Sequence, residues 1–293
     1  MPRPAAMRLT RRRLLAAIGG GLAIPAYNRR SLAGAQPIRF GLTPVFLLND
    51  LELLDALRGY LGRATGHEIE LVRRRTYQEV TALLVSGQID AAWICGYPYV
   101  RYKSQLELLA IPEWLGRPYY QSYLIVDSNR SARHFTELRG DIHAFSDPDS
   151  NSGFLVTRHL LFENALEPES FFRKTMFTYA HRNVIRAVAS GLAQSGSVDG
   201  YVWEVVRETE PELVAGTAPL RKSEWLGFPP ICTSKMHAGT DSIRKLGDAV
   251  LSMKESLDGQ SVLAMLRLSG FAPADDTVFD GIAAKYNDLR TLL

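Results

Sequence analysis

The residues best suited to chemistry lie in AFSDPDSNSGFLVTRHLL, residues 144–161, where Ser150, Asn151 and Ser152 follow two aspartates and precede a glycine and an apolar run. Short hydroxyl and amide side chains at the mouth of a helix have two uses. One is a plain N-cap, for which a single Ser or Asp suffices. The other is an oxyanion cradle, because the first helical turn carries N–H groups without intrahelical partners and roughly half a positive charge from the macrodipole. Three such side chains in a row leave donors to spare beyond one cap. Each hydrogen bond to a charged oxygen contributes about 1.5–3 kcal/mol, so three or four hold an anion without a lysine, and Gly153 lets it approach the backbone.

Other chemistries fit less well. Asp147, Asp149 and Asn151 alternate like calcium ligands, but Pro148 intervenes, Ser152 replaces the turn glycine, and Arg158 stands where a bidentate Glu belongs. SNSGF is not the G-x-S-x-G of a hydrolase elbow. No H-E-x-x-H, P-loop or dinucleotide fingerprint occurs. The expectation is therefore a binding protein, not an enzyme, with no cofactor and no metal. His181 opens a second helix after the strand MFTYA, and its neutral tautomer supplies one N–H donor. CGYPYV places Cys95 and Tyr97 at another strand end, and VDGYVWE places Asp199 and Tyr201 at a third. A tyrosine at a strand end is either core or, facing a cleft, a cover for the ligand.

The elements that must position these residues follow from hydrophobic period. IRFGLTP reads as a strand, LNDLELLDALRGYLGRATG as a helix stopped by Gly66, and HEIELVRRR as an alternating strand. Thr76 and Glu79 form a capping box for the next helix, and IDAAWIC is a buried strand. This βαβαβ run calls for a parallel sheet covered by helices. A second run of strands (DIHAFSD, KTMFTYA, SVDGYVW) alternates with helices (SNSGFLVTRHLLFENA, HRNVIRAVASGLAQ). The organisation expected is two α/β lobes, residues 36–120 with 225–293 and residues 121–224, each a mostly parallel sheet flanked by helices, joined by two crossing segments around a cleft. Ligands of open parallel sheets sit beyond the carboxyl ends of the strands, where all the residues above fall.

The chain has 293 residues, 46% hydrophobic and 22% charged, which is ample for one or two cores. Residues 1–35 differ in kind: a basic start, Thr10-Arg11-Arg12-Arg13-Leu14-Leu15, a Gly-rich apolar middle and Ala33-Gly34-Ala35. They read as a twin-arginine-type export signal cleaved after Ala35, too short in apolar residues to span a bilayer, which needs about 20. The periplasm is the expected location. Those 35 residues hold seven arginines and no acid, leaving 27 basic against 31 acidic residues. The mature chain is slightly acidic and carries no basic stripe for nucleic acid. Cys95 and Cys232 are read as two buried thiols, with one bridge between them as the alternative.

SDPDSNSGFLVTRHLL and FTYAHRNVIRAVASGLAQSGSVDGYVWE, with YQEVTALLVSGQIDAAWICGYPYV before them, resemble the phosphate/phosphite/phosphonate-binding periplasmic solute-binding proteins, the substrate-binding components of ABC importers. The resemblance covers essentially the whole mature chain and implies the two-lobed type II periplasmic binding protein fold. It implies a phosphonate group held by Ser150, Asn151, Ser152 and His181, and an ABC permease as partner; beside it, the strand-end positions make Tyr97 a cover at the cleft and Asp199 and Tyr201 secondary contacts, in a chain expected to be monomeric. Asn151 departs from the usual Ser or Thr but keeps a donor. Cys95 also departs. If its thiol faces the cleft, a soft ligand suits it, and the alternative is a sensor of arsenic or phosphorus oxyanions signalling to a membrane histidine kinase.

Overall fold

The computed structural model describes residues 36–44, 51–290 and 292. The export signal expected over residues 1–35 lies outside them, as do residues 48–50 at the expected start of the first helix. Among the described residues no helix is long and apolar enough to cross a membrane.

Thirteen strands are described: β1 Ile38–Leu42, β2 Ile69–Arg73, β3 Ala91–Trp93, β4 Leu106–Glu113, β5 Tyr119–Tyr120, β6 Ser122–Asp127, β7 Ile142–Phe145, β8 Lys174–Phe177, β9 Ser195–Asp199, β10 Thr217–Lys222, β11 Leu226–Gly227, β12 Ile231–Ser234 and β13 Gly270–Pro273. They form a six-stranded sheet in the order β13-β4-β12-β3-β1-β2, a five-stranded sheet in the order β10-β6-β9-β7-β8, and a two-stranded ladder of β5 with β11. The fold is α/β and two-lobed, with helices flanking each sheet.

Helical crossovers make β1 parallel to β2 and β3, and β7 parallel to β8 and β9. The other ladders are antiparallel, so each sheet is mixed where a mostly parallel one was expected. The cause is connectivity. β6 and β10 adjoin the crossings, and β12 re-enters the first sheet from the returning one, so these strands run against their neighbours. The crossings are themselves tied together, Tyr120 opposite Leu226 and Tyr119 opposite Gly227.

Local signals explain the helices that matter. Thr76 and Glu79 form the expected capping box at the start of Tyr77–Val85. The segment after β9 differs from its reading as strand and turn: β9 stops at Asp199 and a helix runs over Gly200–Thr209. Asp199 Oδ1 accepts from the N–H groups of Tyr201 and Val202, and a Cβ at position 200 would lie 2.5 Å from the Tyr123 ring. A capping acid followed by a residue without a side chain begins a helix there, so Tyr201 and Trp203 lie on that helix.

One continuous apolar core runs from Phe40 and Trp93 through Tyr120 and Tyr201 to Val184 and Val198. A smaller cluster around Leu138, Phe145, Leu161 and Phe171 supports the second sheet. Each such side chain fully buried stabilises the fold by about 1.5–3 kcal/mol. Cys95 and Cys232 are separate buried thiols.

Candidate functional site

The Ser-rich stretch makes an unusual helix start. β7 ends at Phe145, and Ser150 is the N-cap, its Oγ accepting from the Gly153 N–H at 3.0 Å. Asn151–Leu155 is a π-helical turn that continues into the α-helix Val156–Glu163. Its bonds span five residues, Leu155 N–H to the Ser150 carbonyl and Val156 N–H to that of Asn151. Such wide turns recur at functional sites. The other carbonyls are also engaged: Ser152 O accepts from Ser122 Oγ at 2.7 Å, and Gly153 O from the Ser146 N–H. The turn is thus held from its carbonyl side, and its amides are engaged too, Asn151 N–H on Cys95 Sγ and Gly153 N–H on Ser150 Oγ. Gly153 is required for packing and not for ligand approach, because a Cβ there would lie 1.8 Å from Ser146 Oγ and 3.0 Å from His181 Cε1.

His181 opens the helix His181–Ala189 beside this turn. Its Nδ1 accepts the Asp199 N–H at 3.1 Å. An amide N–H can only donate, so Nδ1 carries no proton and Nε2 carries it. Burial lowers the His181 pKa to about 3, keeping the ring neutral. Nε2 lies 3.1 Å from the hydroxyl of Tyr77, on the helix Tyr77–Val85 of the first lobe. Tyr77 therefore accepts from Nε2 and retains its own hydroxyl proton as a donor.

Three further contacts cross between the lobes at this turn. Cys95 Sγ accepts the Asn151 N–H at 3.2 Å, Asn151 Nδ2 donates to the Tyr120 hydroxyl at 2.9 Å, and the Tyr77 N–H donates to Asp147 Oδ2 at 3.1 Å. Ser150, Asn151, Ser152, His181, Tyr77, Tyr120 and Cys95 are all buried, and the lobes meet face to face here. Among these and adjacent groups, Ser146 Oγ, Asn151 Oδ1 and Ser152 Oγ are buried without a hydrogen bond of ordinary geometry. Buried polar atoms are ordinarily satisfied, and each exception needs a cause; a cluster at a helix start is suited to a polar guest.

Burial pushes the titratable groups gathered here towards their neutral forms. Burial raises the Cys95 thiol to about 12 and Asp199 to about 7. Asp147 is raised by burial against the opposing pull of the Asp149 and Tyr77 N–H groups. Arg182, a conceivable cation at the rim, instead pairs through its guanidinium with Glu210.

The structure brings together Ser150, Asn151, Ser152, His181 and Cys95, with Asp199 joined through its N–H. Tyr97 joins them through its N–H on the Cys95 thiol, while its ring and Tyr201 are engaged elsewhere. The Tyr97 ring packs on Tyr286 at 5.7 Å between centroids. Tyr201 packs on Trp114 and Phe228, its hydroxyl donating to the Leu266 carbonyl. Tyr77 and Tyr120 went unnoticed in the sequence; their only signals were positions at a capping box and at a crossing strand. A cavity of about 730 Å³ beside the crossings, lined by Trp114, Tyr123 and Trp225 among others, contains none of the Ser-rich residues.

Two mixed sheets hinged through a short ladder, with helix starts of one lobe facing the other, define a type II periplasmic substrate-binding protein. The chain belongs to the family described as ABC transporter, phosphonate, periplasmic substrate-binding protein, whose model matches residues 40–279. Similar solved structures include a binding protein component of an ABC phosphonate transporter from Pseudomonas aeruginosa, with a TM-score of 0.79 at 20% identity, covering 87% of each chain. PhnD1 from Prochlorococcus marinus, in complex with methylphosphonate, has a TM-score of 0.78 at 16% identity over 87% of this chain and 98% of that one. The alkanesulfonate-binding protein SsuA from Xanthomonas axonopodis pv. citri, bound to MOPS, has a TM-score of 0.61 at 16% identity over 88% and 94%.

Proposed function

We propose that the protein captures a small phosphorus oxyanion, a phosphonate, phosphite or phosphate, between its lobes and delivers it to an ABC permease. The observation that carries this reading is the cross-lobe meeting of Tyr77 with His181; the buried Ser152 Oγ, beside Tyr120 at the Ser-rich helix start, accompanies it. A ligand bonded to both lobes at that point stabilises the shut form over the open one. Ser150 holds the turn as its cap. Ser152 Oγ and the Tyr77 hydroxyl supply donors beside the Asn151 N–H, His181 Nε2–H orients the Tyr77 hydroxyl by donating to it, and Tyr120 orients Asn151. Cys95 shares the Asn151 N–H with an incoming oxygen, and its thiol keeps its proton, so no soft-ligand chemistry is assigned to it.

A thermal-shift panel of phosphate, phosphite, methylphosphonate, sulfate and arsenate tests the ligand class. The expected result is a rise in melting temperature with at least one phosphorus oxyanion; a flat panel contradicts the proposal. Export by the twin-arginine route, cleavage after Ala35 and a monomeric mature chain belong to the same reading. Arg11→Lys with Arg12→Lys is expected to retain the chain in the cytoplasm, and continued export would overturn that part.

A further inference from the structure

We infer that Asn151 Oδ1 selects an oxyanion that carries a proton, the monoanion of a phosphonate or phosphate with its P–OH, over the proton-free head of a sulfonate or sulfate. This rests on the oxyanion site proposed above. The groups gathered there donate: Asn151 N–H, Ser152 Oγ and the Tyr77 hydroxyl, which His181 Nε2–H orients. Asn151 Oδ1 is different. It is a buried acceptor without a partner. An amide oxygen can only accept, whereas a hydroxyl in its place rotates to suit either role. The amide's orientation is set by Nδ2, which donates to the Tyr120 hydroxyl at 2.9 Å and turns Oδ1 to the other side.

The neighbouring carboxylates are committed elsewhere. Asp147 accepts from the Tyr77 and Asp149 N–H groups, one to each oxygen, and Asp199 Oδ1 caps the helix after β9. A fully deprotonated oxyanion brings only lone pairs, so facing Oδ1 it repels and leaves that acceptor unsatisfied. A P–OH donates to it and satisfies both. Phosphonates and phosphates carry such a proton below their second ionisation, which for a phosphate falls at about 6, and the monoanion is drawn from that equilibrium on binding; sulfonates have no such form. The same tetrahedral shape is therefore accepted or refused by one hydrogen atom.

Methylphosphonate and methanesulfonate have matching shapes and separate the two cases. Calorimetric titration of the wild-type chain is expected to show methylphosphonate bound about tenfold to a hundredfold more tightly, a preference that declines as pH rises through the ligand's second ionisation. The ionisable groups facing Asn151, namely Cys95, Tyr77, Tyr120, His181, Asp147 and Asp199, are common to both titrations, so the sulfonate series subtracts their effect. In Asn151→Leu the preference is expected to shrink to about threefold or less and to lose its pH slope. Should that variant fail to fold, the wild-type preference and slope test the inference alone. Equal affinities in the wild type, or a preference that survives Asn151→Leu, would overturn the role of Oδ1 and leave the oxyanion site standing. No heat with either ligand overturns the site and the inference together.

Discussion

His181 Nε2 and the Tyr77 hydroxyl lie 3.1 Å apart although the first residue opens a helix of the second lobe and the other a helix of the first. The Asp199 N–H at Nδ1 fixes which nitrogen bears the proton. Tyr77→Phe leaves that N–H buried without an acceptor, at a cost of about 1–3 kcal/mol. Urea unfolding is expected to show a lower midpoint with an unchanged slope, and methylphosphonate affinity to fall by about tenfold. An unchanged midpoint and affinity together would mean that the two groups are not coupled.

Asp199 gives a pH-dependent signature. Burial holds its pKa at about 7, against about 3.9 in an unfolded chain. Between those values the folded protein keeps a proton that the unfolded chain has lost, so the stability from this group is full below about pH 4 and is lost as pH rises through about 7. Asp199→Asn retains an oxygen for the Tyr201 and Val202 N–H groups but does not titrate. Relative to wild type the variant is expected to be more stable by on the order of 3 kcal/mol near pH 8, with the difference closing towards pH 4. A difference constant across chemical denaturation series in that range would contradict it.

Gly153 is predicted to be irreplaceable for steric reasons. The added methyl of Gly153→Ala meets Ser146 Oγ at 1.8 Å and its Cβ at 2.7 Å, an overpacking expected to cost about 1–3 kcal/mol or more. Ser146→Gly in the same chain removes both atoms and is expected to recover most of the loss in a double-mutant cycle. Absence of recovery would place the strain elsewhere.

The two cysteines report on closure. Cys232 sits on β12 between β3 and β4, inside one sheet, whereas Cys95 faces Asn151 across the lobes. Saturating methylphosphonate is expected to slow alkylation of Cys95, by up to about a hundredfold at a hundred times Kd, and to leave Cys232 unchanged. Equal protection of both thiols would indicate general stabilisation in place of lobe closure.

Helix starts were the most legible part of this molecule, because a cap is a local device: Thr76 with Glu79, and Ser150 after a strand, declare themselves within four residues. The same locality explains why His181 stood out. Tyr77 did not, because its position after the Thr76 cap says nothing of which lobe its ring will meet. Tyr120 likewise acquires its partner, Asn151, only when the crossings pair. The mixed sheets depend on re-entry of β12 and β6, a matter of chain path that hydrophobic period does not encode. Tyr201 was misplaced onto a strand end because Asp199 and Gly200 read equally well as a turn. The π-helical turn at Asn151–Leu155 had no sequence signal at all.

The central claim, that donors at the Ser-rich helix start hold the anion, is met most directly by titrating Ser152→Ala with methylphosphonate beside a melt of the ligand-free chain. Ser152 Oγ lies beside the Tyr120 hydroxyl without a hydrogen bond of ordinary geometry, so the account predicts affinity lower by at least about tenfold and melting changed by less than in Ser150→Ala. Ser150→Ala is the contrast, since its Oγ caps Gly153 and its loss is expected to cost about 1 kcal/mol of stability. Undiminished methylphosphonate affinity in Ser152→Ala would contradict the account.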